Sequence, residues 1–109
     1  MAHPWFFTRE FTQAVLREVH DRHCHDRRAE HVEWCAPRWV RHQGGWADAV
    51  RHLQAHPRDA RGARRIMHDR TCSSGAECDT ADDHARTQTK NVAALRKVLA
   101  TYTGPTFRS

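Results

Sequence analysis

The strongest constraint on the fold is the run Val92, Leu95, Val98, Leu99 and Tyr102, where apolar residues recur every three or four positions. That period puts all five on one face of a helix and leaves the intervening residues for solvent. Gly104-Pro105 closes the run, and Thr80 with Asp83 three residues later resembles a capping box with Asp in place of Glu. Asp82 and Asp83 also suit the positive end of a helix dipole. A helix from about residue 81 to 102 is therefore expected, and it needs partners to cover its apolar stripe.

The rest of the chain supplies them. Thr8 is placed to cap a helix starting at Arg9, whose apolar face is Phe11, Ala14, Val15 and Val19, with Leu16 beside it. That helix should run into the polar stretch from His20 to Arg28. Pro37 and Gly44-Gly45 interrupt the middle of the chain, with a short helical turn expected at Trp39-Val40. Trp46, Val50 and Leu53 form a second helical stripe ending near His56-Pro57. Pro57 should open a third helix, with Ala60, Ala63, Ile66 and Met67 on its buried side and an end near Thr71. Gly62 weakens that helix by about 1 kcal/mol relative to alanine. No stretch alternates as a strand should. The expectation is one all-α domain over residues 1–109, a compact bundle of about four helices.

Such a core is thin. Only 39% of the 109 residues are hydrophobic, so a chemical staple would help. The chain offers one in His68-x3-Cys72-x5-Cys78-x5-His84, at the corner between the third and fourth helices. Two thiolates and two imidazoles are the ligand set of a closed, tetrahedral, structural zinc site. The spacing differs from the tight pairs of a standard zinc finger. A Cys72–Cys78 disulfide, or thiols beside solvated histidines, are the alternatives. A second, weaker metal or thiol set is His20, Cys24, His31 and Cys35. On one continuous helix Cys24 and His31 would lie about 10 Å apart, so the chain must bend for them to share an ion.

The chain carries a net charge of +5, and all but two of its 18 basic residues are arginine, the exceptions being Lys90 and Lys97. Guanidinium forks match phosphate oxygens. Arg51, Arg58, Arg61, Arg64 and Arg65 concentrate in one region, with Arg58, Arg61 and Arg65 expected on one helical face opposite the alanines. DNA or RNA is the partner such a face fits. An acidic protein, or a second copy of the chain, is the alternative. Trp34, Trp39 and Trp46 could stack on bases, but their spacing suits a core. No phosphate loop, dinucleotide fingerprint, nucleophile elbow or metalloprotease signature is present, which leaves a thiol or metal enzyme centred on His20 and Cys24 as the third reading. With no basic, long-apolar leader and no apolar run of membrane-spanning length, the expected location is the cytoplasm, with no membrane partner.

Trp34-Cys35, Trp39, His42, Ala49-Val50 and Leu53 resemble a Trp-Cys…Trp…His…Ala-Val…Leu pattern of small proteins on actinobacterial plasmids and phages. Asp82-Asp83-His84 echoes a later Asp-Pro-His element of that family. The match covers about 20 residues and departs by one extra residue before Trp39 and by Gly44-Gly45. The resemblance implies a helical fold and a mobile-element context, and no activity.

Overall fold

The computed structural model describes residues 7–24, 45–71 and 81–108, the side chains of residues 71 and 81–85 excepted. Among the described residues there are four helices: α1 (Arg9–His23), α2 (Trp46–Ala55), α3 (Ala60–Thr71) and α4 (Ala81–Thr101). The all-α expectation holds. The helical turn expected at Trp39-Val40 lies outside the described residues.

Helix α1 begins where Thr8 places it. The Phe11 N–H donates to Thr8 Oγ1 at 3.3 Å, and the Thr12 N–H donates to the Thr8 carbonyl at 3.0 Å. The helix stops at His23, because Cys24 is extended (φ −146°, ψ 148°). Phe11, Val15 and Val19 are buried, as their spacing requires, while Ala14 and Leu16 are partly covered.

Helices α2 and α3 form an antiparallel pair clamped at both ends. At one end His52 Nε2 lies 2.8 Å from Asp59 Oδ2; at the other, an Arg70 Nη2 donates to Asp48 Oδ2 at 3.0 Å. Gly45 caps α2 in the left-handed region (φ 77°), and a Cβ there would lie 2.9 Å from Arg70 Cγ. Glycine thus meets both the turn and the close passage of the Arg70 stem.

Helix α4 packs between α1 and α3, antiparallel to both. Its contacts with α1 run from His23–Asn91 through Glu18–Lys97 to Phe11–Tyr102. Those with α3 and the turn before it include Arg64–Thr89 and Arg96–Pro57. Val92, Ala94, Leu95 and Val98 are buried at the centre, with Trp46, Val50, Leu53, Ala63 and Met67 from the α2–α3 pair.

The chain closes on itself at Phe7 and Phe107, which form an isolated antiparallel bridge. The Thr8 N–H donates to the Thr106 carbonyl at 2.9 Å, and the Thr8 hydroxyl donates to the Pro105 carbonyl at 2.7 Å. Phe7 sits in edge contact with Phe11 (5.0 Å) and tilts against Phe107 (5.3 Å), while Phe11 meets Tyr102 edge-on (5.3 Å). These are separations at which ring quadrupoles attract. No helix among the described residues is long and apolar enough to cross a membrane.

Candidate nucleic-acid interface and metal corner

The outer surface of α3 follows from how the helix begins. Pro57 lies in the preceding turn, and the residue that caps α3 is Asp59. Its Oδ1 accepts the Gly62 N–H at 3.0 Å, and its carbonyl accepts the Ala63 N–H at 3.2 Å. The Gly62 N–H, and then the His52 side chain, hold the Asp59 carboxyl below the usual carboxylate range. A Cβ at position 62 would run into the Asp59 carboxylate and lie 2.6 Å from His52 Nε2. The intrinsic cost of glycine in this helix is what leaves room for the clamp.

With Ala63 and Met67 fixed inward, Arg61 and Arg65 fall on the opposite face, both exposed. Arg58 is also exposed but lies in the turn before the helix, so it does not share their helical face. Arg64 is exposed at the flank, where its Nη1 donates to Thr89 Oγ1 of α4 at 3.4 Å. Arg51 is the outlier. Its guanidinium lies 4.6 Å above the Phe107 ring and 3.8 Å from Asp48 Oδ1, which ties it to the C-terminal segment. Among the described residues, Arg58, Arg61 and Arg65 make no hydrogen bond or ion pair. Arg61 and Arg65, flanked by Arg64, can therefore offer their donors to a row of phosphates, with Arg58 in the turn before them.

At the metal corner, His68 is exposed on the last turn of α3, with Nδ1 3.6 Å from Asp69 Oδ1. His84 belongs to the first turn of α4, though its side chain lies outside the described residues, as do Cys72 and Cys78. Because α3 and α4 are antiparallel and meet at Arg64 and Thr89, positions 68 and 84 both lie toward the same end of the pair. Among the described residues no group of three metal-binding side chains comes together, and His68 is the one member of the proposed ligand set whose side chain is described.

The second set divides at the end of α1. His20 is fully buried, with Nδ1 3.2 Å from Asp21 Oδ1. Cys24 has left the helix, so the shared helical face assumed for His20 and Cys24 is not formed; instead the Cys24 N–H donates to the His20 carbonyl at 2.8 Å. His31 and Cys35 lie outside the described residues. Nearby is a polar group that helical spacing did not reveal. Half-buried His23 donates from Nε2 to Asn91 Oδ1 at 3.0 Å, and Asn91 and Gln88 are both buried on α4. Burial lowers the His23 pKa, more than the Asn91 bond raises it, and the charge of Lys90 lowers it further. The sequence signal for this group was faint: Gln88 and Asn91 sit beside Val92 and Leu95 on the inner side of α4.

No protein-family model, curated protein or solved structure matches the chain.

Proposed function

We propose that the protein is a non-catalytic, nucleic-acid-associated accessory or regulatory protein whose α3 surface tracks a phosphate backbone. The observation that carries this reading is the set Arg58, Arg61 and Arg65, exposed and without an acidic partner among the described residues. By contrast, Arg22, Arg70 and Lys97 each close on a carboxylate. Arg9 and Arg17 also lack an ion pair among the described residues, but they share α1 with Glu10, Glu18 and Asp21, whereas α3 sets four arginines against Asp69 alone and so has net positive charge to give to a polyanion. The resemblance around Trp34 to Leu53 supports a mobile-element context.

The test is anisotropy titration of labelled duplex DNA and single-stranded RNA across a salt series. Binding at about 50 mM salt should weaken linearly on a log–log scale, and the Arg61→Ala/Arg65→Ala variant should reduce that slope by about two. Absence of binding at low salt would remove the reading and turn the same arginines toward an acidic protein partner.

A structural zinc at His68, Cys72, Cys78 and His84 would join the ends of α3 and α4. The shared end of the antiparallel pair supports it, and the ligand types suit zinc. Native mass spectrometry checks it. A mass excess of one zinc, lost on denaturation and in a Cys72→Ser variant, is the expected result; a bare-chain mass sinks it.

A further inference from the structure

A cleft of about 630 Å³ opens between the α2–α3 turn and the second half of α4. Leu53, Leu99 and Ala100 give it an apolar wall, and Arg58, Arg96 and Lys97 give it three cations. None of its lining residues is acidic. The size falls within the range of about 300–1,000 Å³ usual for small-molecule sites, which join apolar walls to a few placed polar groups.

The cations are not equivalent. Lys97 Nζ lies 3.2 Å from Glu18 Oε1, which offsets its charge. Arg96 donates from Nε to the Pro57 carbonyl at 3.3 Å. That bond holds the guanidinium at the cleft and leaves its two terminal amino groups unbonded among the described residues. Arg58, on the facing turn, has no partner at all among them. Two guanidinium groups thus flank an apolar wall with no carboxylate to satisfy them.

We infer that this cleft binds a small organic anion, a carboxylate or phosphate monoester joined to an apolar body, with the head group on Arg58 and Arg96 and the body against Leu53, Leu99 and Ala100. The inference does not rest on the α3 surface, since the two sites share only Arg58. A head group alone would gain little at exposed arginines. An apolar body alone would leave both guanidinium groups to solvent and gain nothing from them. The pairing of the two sets the ligand class.

The experiment is an amide NMR titration with naphthyl phosphate, and in parallel with naphthoate, naphthol and inorganic phosphate. Saturable shifts at Gln54, Arg58 and Ala100 are expected with both naphthyl anions, and the tighter of them identifies the preferred head group. An Arg58→Ala change should weaken binding about two- to fivefold, the size of one exposed ion pair. Ala100 is exposed, so Ala100→Trp should fill the cleft without disturbing the core. That variant should abolish naphthyl phosphate binding, keep its thermal midpoint and leave any DNA titration unchanged. Naphthol binding as tightly as the anions would overturn the inference, as would equal shifts with inorganic phosphate, full affinity in the folded Ala100→Trp variant, or no saturable binding by either anion.

Discussion

The α1–α4 seam and the α2–α3 pair handle charge in opposite ways. Helix α1 carries Arg9, Arg17 and Arg22 against Glu10, Glu18 and Asp21. Glu18, largely covered, faces both Arg22 at 3.6 Å and Lys97 at 3.2 Å. Beneath that exterior the seam buries polar groups, namely His20, Gln88 and Asn91. Helix α3 carries Arg61, Arg64, Arg65 and Arg70 against Asp69 alone. Its inner side is Ala63 and Met67, and its polar links to α2, His52–Asp59 and Asp48–Arg70, stand at the two ends. The seam therefore balances its surface charge and closes part of it on Glu18, while the pair keeps the middle of its outer face open.

The largest effect expected from this contrast lies in the seam. Phe11 is fully buried and touches both Phe7 and Tyr102. Phe11→Ala should cost about 3–5 kcal/mol. Denaturant unfolding measures it, and a loss below about 1 kcal/mol, the size of an ordinary surface-to-average substitution, would mean that the seam is not where cohesion resides.

A smaller effect should appear with pH. His23 has its pKa lowered from 6.5 in the fold, so near and below that value the unfolded chain binds more protons than the folded one. Stability should fall as pH drops through 6.5, and the full loss is reached below the folded pKa. Thermal midpoints of the parent and a His23→Gln variant, followed downward from neutral pH, should diverge in slope there; parallel curves would detach His23 from the seam. Asp59 acts in a separate window. Its contribution is present above the ordinary carboxylate pKa and is lost only as pH falls through its lowered value.

The smallest effect belongs to the open face. Arg61→Ala/Arg65→Ala, expected to weaken nucleic-acid binding, should shift folding stability by no more than about 0.5 kcal/mol per site. A larger loss would show that these arginines are structural and erase the contrast between the two regions.

The helices were legible because their signals are local. Phe11, Val15 and Val19 mark α1 by spacing alone, Thr8 marks its start, and Gly104-Pro105 follows the end of α4. Exposure of Arg61 and Arg65 follows from the same period once Ala63 and Met67 face inward. The start of α3 was harder. Pro57 is the stronger local mark, but Asp59 wins because its side chain bonds both Gly62 and His52 of another helix. The diversion of Arg51 depends on Phe107, and the burial of Asn91 goes with His23, 68 residues away. No local pattern encodes partners at such separations. The proposed metal corner is a set of ligand types in the sequence, and three of its four side chains lie outside the described residues.

The clasp between Phe7 and Phe107 has a consequence for anything tethered to the molecule. Chain entering before Phe7 and chain leaving after Phe107 emerge at one spot, beside the Arg51 guanidinium. Two modules fused at opposite ends would be held as near neighbours, with the high mutual effective concentration that short tethers confer. In space, though not in sequence, this fold behaves as a pendant hung from a single point.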